Sequence, residues 1–89
     1  MKPITRHKNF VKNYKKRILN NKSLDKQFEQ RLKLFALGVR GEPLNDHALK
    51  GKQTGYRSFS ISGDIRVIYR ETNVRYQLID IGTHNQVYK

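Results

Sequence analysis

The side chains of this sequence with chemistry to offer are three histidines, one turn carboxylate and one aromatic near the end of the chain. His7, His47 and His84 can exchange protons near neutrality. His7 opens a lysine-rich stretch and reads as a solvated surface residue. His47 follows Asp46 in a polar segment. His84 lies just past an apolar run and a glycine, where a side chain projects readily into a site. Asp64 follows Gly63 in a turn signal, which by itself is ordinary turn chemistry. Between these groups runs GYRSFSISGDIRVIYR, residues 55–70, with serines and arginines on one alternating face. A surface of hydroxyls and guanidiniums suits a phosphate-bearing ligand better than it suits a core.

As a set, these residues match the needs of RNA cleavage without a metal. A base takes the proton from a ribose 2′-OH, and that oxygen attacks the neighbouring phosphorus. Cations stabilise the charge that develops on the phosphorane-like transition state, and an acid protonates the departing 5′-oxygen. Well-placed proton transfer is typically worth about 10²–10⁴-fold in rate. An aromatic ring such as that of Tyr88 can hold a base by stacking. There is no HExxH and no pair of carboxylates at helical spacing, so neither a metal nor another cofactor is expected. The sequence also lacks GxxxxGK[ST], GxGxxG and a serine in a nucleophile-elbow context.

These residues need a scaffold, and the same stretch supplies part of it. Two β-branched and aromatic runs flank Gly63-Asp64, which predicts a β-hairpin. A loop of Gly63 to Ile65 pairs Ser62 with Arg66, Ser60 with Ile68 and Ser58 with Arg70. Phe59, Ile61, Val67 and Tyr69 then share the covered face and the other face stays open. Upstream, Lys2 to Thr5 reads as a short extended edge segment held there by Pro3. Phe10, Val11, Tyr14 and Ile18 follow helical spacing over residues 6–19. A second helix begins with Ser23 as its cap and Asp25 in the first turn, carries Leu24, Phe28, Leu32 and Phe35, and ends at Gly38. Leu44 to Thr54 reads as a polar loop carrying His47, Lys50 and Lys52. Val74 to Ile81 reads as a further strand, with Val87-Tyr88 as a last extended piece. The expected fold is α+β: a short N-terminal strand, a two-helix hairpin, then an antiparallel sheet of about three further strands, with the helices on one face.

With 89 residues, one domain with one modest core over 1–89 is expected. The net charge of +12 is concentrated in the first 40 residues, which hold twelve basic and two acidic side chains. Residues 41–89 hold seven and five. Such a field attracts polyanions, whether RNA, DNA, anionic lipid or an acidic protein segment. There are no cysteines, which excludes disulfides and thiolate metal sites and fits a reducing compartment. The basic N-terminus has no apolar h-region and no apolar run is long enough to span a membrane, so a soluble cytoplasmic protein is expected.

The stretch DHALKGKQTGYRSFSISGDIRVIYR with LIDIGTHNQVY resembles the RelE superfamily of bacterial toxin–antitoxin toxins, on its YafQ-like branch. The pieces are DH-x-L-x-G at Asp46 to Gly51, GYR at 55–57, D-x-R-x-x-Y at Asp64 to Tyr69, and GTH at 82–84 ahead of an aromatic. The helical half matches in its element pattern and basic character only. The resemblance implies an mRNA endonuclease acting in the ribosomal A site, silenced by a cognate acidic antitoxin that wraps it. By motif position His47, Asp64, His84 and Tyr88 fall where the YafQ branch keeps catalytic groups, and Arg66 where RelE-type members keep a phosphate-contacting arginine. The expected roles are His84 as acid, His47 or Asp64 as base, Arg66, Arg70, Lys50 and Lys52 on RNA, and Tyr88 on a base. Ser60 departs from the branch, which tends to place another histidine there, so one acid/base group fewer is expected. Two other readings share these features: a ParE-like toxin acting on DNA gyrase, and a basic RNA-binding module without catalysis.

Overall fold

Residues 2–88 are described by the computed structural model of the chain. Ile4–Arg6 forms β1 at one edge of the sheet, as the proline before it favours. His7 then caps α1, Lys8–Arg17, its ring nitrogen Nδ1 accepting from the Asn9 N–H at 3.1 Å. That gives the least chemical of the three histidines a structural task. Phe10, Tyr14 and Ile18 of this segment are buried, while Val11 lies at the surface.

Helix α2, Lys22–Ala36, is capped by Asn21, not Ser23: the Asn21 side chain accepts from the Leu24 N–H at 3.1 Å. Asn and Ser are about equal as caps, so the choice rests on where the turn from α1 closes. The Asp25 carboxylate in the first turn accepts from the Tyr14 hydroxyl of α1. Burial, and then that carboxylate, push the Tyr14 phenol well above its ordinary pKa. Gly38, at φ +93°, ends α2 in the left-handed region, and the Val39 N–H returns to the Leu34 carbonyl at 3.0 Å.

The sheet has five strands in the order β1-β5-β4-β3-β2, where β2 is His47–Ala48, β3 Arg57–Ser60, β4 Ile65–Glu71 and β5 Tyr76–Thr83. β1 runs parallel to β5 and the other pairs are antiparallel. Past the end of β1, Arg17 of α1 donates to the Ile81 carbonyl at 2.9 Å, so a side chain covers the exposed edge of β5. Phe59, Ile61, Ile65, Val67, Tyr69, Leu78 and Ile81 pack under Phe10 and Tyr14 of α1, Ile18 just past its end, and Phe28 and Phe35 of α2.

The α+β expectation holds, with three corrections. The hairpin loop is three residues, but it is Ser62–Asp64, closed by the Ile61 N–H on the Ile65 carbonyl at 2.8 Å. The pairs are therefore Ser60 with Arg66 and Ser58 with Ile68. A shift of two residues keeps every side chain on its expected face and adds Ile65 to the covered one. The polar loop contains β2 and a single 3-10 turn at Gly51–Gln53. Of the extended piece expected at Val87-Tyr88, Val87 instead ends a short helix α3, His84–Val87, and only Tyr88, its C-cap, is extended. Thr83 and Gln86 form a reciprocal capping box that starts it.

Helix α3 also changes the picture of the second face. It lies over β4 and β5 on the side away from α1 and α2, where it helps to bury Ser58, Ile68 and Val87. That face is partly roofed by the end of the chain, and its open part is smaller than the strand pattern predicts.

Candidate active site

Each candidate group is placed by a different local device. Gly82 lets α3 fold back: a Cβ there would lie 2.6 Å from Gln86 Oε1 and 2.7 Å from Arg17 Nη1. The capping box then sets the first turn, with Gln86 Oε1 accepting from the Thr83 N–H at 2.8 Å. This puts His84 on the surface at the start of α3. Tyr88 caps the other end, its ring 4.5 Å from that of His84 and nearly perpendicular to it. The Tyr88 hydroxyl donates to Ser58 Oγ at 2.6 Å, so this residue is anchored on β3. Gln53 ties the same end down, donating to the Val87 carbonyl at 2.8 Å.

His47 lies on β2 opposite Ser58. The geometry of its ring fixes a tautomer: Nδ1 is 3.0 Å from the Asn45 carbonyl, a contact that needs a proton on that nitrogen. In the neutral ring Nε2 is then a bare acceptor. His47, Lys50, Gln53, His84 and Tyr88 line one open hollow of about 370 Å³. Asp64 at the tip of the β3–β4 hairpin accepts from the His84 backbone N–H at 3.4 Å, which brings its carboxylate to the start of α3.

Arg66 points to the same face of the sheet as Ser58 and Ser60, directly opposite Gly82. Its Nη1 donates to Ser60 Oγ at 2.9 Å. The serine that stands where a histidine was expected thus holds a guanidinium. Arg66 borders a second hollow with Arg31, Asn45 and Ser62, on the hairpin side of the site.

Two of the expected RNA contacts lie elsewhere. Lys52 lines an adjoining apolar hollow with Tyr56, Ile68, Ile79 and Val87. Arg70 lies further along β4, donating to Gln77 Oε1 at 2.9 Å. Four residues of strand separate it from Arg66, roughly 13 Å at about 3.3 Å per residue. Among the described residues no group of three or more His, Cys, Asp or Glu side chains is placed to hold a metal ion.

One group with a clear structural signature has no role among the expected residues: Asp46. Its carboxylate is fully buried, bonded to Arg57 at 2.6 and 2.8 Å and to the Tyr69 hydroxyl. The Asp46 hydrogen bond holds the Arg57 guanidinium above its usual pKa, and burial with the same carboxylate raises the Tyr69 phenol well above its own. The DH and GYR pieces of sequence contain two of these residues, yet only tertiary contact reveals that they meet.

The fold has close counterparts of known structure. E. coli YafQ from strain BL21(DE3) is 22% identical over all of both chains, with a TM-score of 0.79. The E. coli DinJ–YafQ complex gives 22% identity, full coverage of both chains and a TM-score of 0.80. A metal-bound toxin from Helicobacter pylori gives 24% identity and a TM-score of 0.81 over 99% of this chain and all of that one. Comparison with curated protein sequences returned no significant match. At these identities the structures establish the shared fold. Membership comes from the sequence family, whose model, described as the bacterial toxin of the type II toxin–antitoxin system YafQ, matches residues 2–89. The chain therefore belongs to the YafQ family of type II toxins.

Proposed function

We propose that this toxin is an endoribonuclease that cleaves mRNA in the ribosomal A site by general acid–base attack of a ribose 2′-OH on the adjacent phosphate. The observation that carries the reading is the shared hollow of His47, His84 and Tyr88, with Asp64 bonded to the backbone N–H of His84. Two imidazoles facing one open space are what an acid–base pair requires. His47 is the base, because its Nδ1–H on the Asn45 carbonyl leaves Nε2 free to accept a proton. His84 is the acid, with the Asp64 carboxylate at 3.4 Å from its backbone N–H. Arg66 and Lys50 neutralise phosphate charge. The Tyr88 ring offers a face to a base.

Ser60 fits this assignment. It cannot replace an imidazole as a proton carrier, but it orients Arg66 through its hydroxyl. Loss of one acid–base candidate is accompanied by a positioned cation, so transition-state charge stabilisation carries more of the work here. The partner that silences the toxin is an acidic antitoxin, the natural complement to a net charge of +12. The E. coli relative, solved as a DinJ–YafQ complex, supports such a partner.

The test is to express the toxin briefly and map new 5′ ends on transcripts, then repeat the cleavage with purified ribosomes, mRNA and protein. Cuts at defined codon positions in ribosome-bound mRNA are expected, and they should persist in EDTA under conditions that keep the ribosomes intact. Growth arrest without new RNA ends, accompanied by DNA damage, would favour a gyrase-directed toxin. RNA binding without either would reduce the protein to a basic binding module.

A further inference from the structure

His47 stands on the weakest strand of the sheet. β2 is two residues long and lies at the edge, so its ladder bonds alone cannot hold an imidazole in one place. The residue before it is held far more firmly. The Asp46 N–H donates to the Arg40 carbonyl at 2.8 Å, and the Asp46 side chain is wholly buried. One carboxylate oxygen takes both Arg57 Nε at 2.8 Å and Arg57 Nη2 at 2.6 Å, and the other takes the Tyr69 hydroxyl. Arg57 and Tyr69 are themselves directly opposed in the β3–β4 ladder.

We propose that Asp46, Arg57 and Tyr69 form a clamp, its carboxylate and phenol buried and its guanidinium partly exposed, that positions His47. Successive side chains of an extended segment point to opposite faces. With Asp46 pinned among Arg57 and Tyr69 on the covered side, the next residue is obliged to project to the other, where the hollow lies. Asn45, at φ +49°, bends the chain so that its carbonyl meets His47 Nδ1–H, which sets the ring's rotation and tautomer as well. Burying the Asp46 carboxylate costs desolvation that offsets much of its attraction to Arg57, so the directed bonds of this pair serve to specify one geometry more than to add stability. Asp46, Arg57 and Tyr69 touch no substrate; they are positioning residues, and their catalytic effect rests on the nuclease reading above.

The experiment compares Asp46→Asn, Tyr69→Phe, His47→Ala and the double variant Asp46→Asn/His47→Ala in the full chain. Cleavage of ribosome-bound mRNA gives kcat and KM, and NMR of the imidazole reports the state of His47. Displacing a catalytic group by about 1 Å costs on the order of 10²-fold, and Asp46→Asn should lower kcat by about that much with KM within about twofold. Its His47 ring signals should move to those of a freely rotating surface histidine while the amides of β4 and β5 stay protected. Tyr69→Phe, which keeps the Asp46–Arg57 pair, should lose less. In the His47→Ala background Asp46→Asn should add nothing, since groups acting as one unit are not additive.

An Asp46→Asn variant with parental kcat and unchanged His47 signals overturns the proposal. So does an Asp46→Asn effect that multiplies fully with His47→Ala, which would mark a general structural role. If the parent cuts no RNA, the nuclease reading fails separately, and the His47 signals in Asp46→Asn and Tyr69→Phe still decide the clamp. If Asp46→Asn does not fold, Tyr69→Phe carries the same comparison.

Discussion

The two faces of the sheet are built from alternate residues of the same strands, yet they obey different rules. The face under α1 and α2 is dry: Phe35 stacks on Phe59 at 4.8 Å and meets Tyr69 edge-on at 4.9 Å, and each of these rings is essentially inaccessible to water. The opposite face carries Ser60, Arg66 and His47, with a four-residue helix for a partial roof. Close packing fixes the first face through many small contacts, each depending on volume. Single directed bonds fix the second, such as Tyr88 to Ser58 or Arg66 to Ser60. The first face tolerates no loss of volume. Removing a polar side chain from the second should cost local geometry before it costs stability.

The largest expected effect breaks the dry face. Phe59→Ala should destabilise the protein by about 3–5 kcal/mol, enough to unfold much of a domain this small, as urea denaturation will show. The next falls on the other face. His84→Ala and Asp64→Ala should each reduce cleavage by about 10²–10⁴-fold with little change in melting temperature. If both variants remain as toxic as the parent, the two faces do not divide stability from chemistry as described. Arg66→Ala tests charge on the same face. RNA affinity should fall steeply with salt, and losing one phosphate contact should flatten the log–log slope by roughly 0.7–0.9; an unaltered slope would remove Arg66 from the RNA interface.

A smaller effect sharpens the comparison from the dry side. The phenols of Tyr14 and Tyr69 are raised in the folded state, chiefly by burial and then by Asp25 and Asp46. A raised folded pKa favours the protonated native state, so its stabilisation is complete below the unfolded value of about 10. As pH rises beyond that point the unfolded chain releases protons first. Stability should then fall by about 1.4 kcal/mol per pH unit for each tyrosine. Tyr69→Phe should shallow the alkaline decline in denaturant titrations, and an unchanged slope would show that this phenol is not protected.

Much of the dry face was legible in the chain before folding. Phe10, Tyr14 and Ile18, then Phe28 and Phe35, recur at helical spacing, and Phe59, Ile61, Val67 and Tyr69 alternate. The face assignment survived a register error of two residues because the side-chain period of a strand is two. What escaped was anything decided by a single polar contact. Ser23 and Asn21 are comparable caps, and only the turn from α1 selects Asn21. The T-x-x-Q pattern of Thr83 to Gln86 is a capping signal that was readable, yet a helix of four residues lies below the length at which periodicity speaks. The role of Asp46 had no local signal, because its partners lie 11 and 23 residues further on.

Sequence by itself settled the periodicities, the charge asymmetry and the motif order, and with them the α+β class and the toxin family. Those are properties of neighbours along the chain and of totals, which need no folding to exist. Tertiary structure decided that β1 joins β5, that α3 roofs the second face, and that the imidazoles of His47 and His84 border one hollow. It also decided that Arg70 and Lys52 stand away from them. Hydrogen bonds and ion pairs act over about 3 Å. Which groups come that close is set by how the whole core packs, and no stretch of chain carries that information alone.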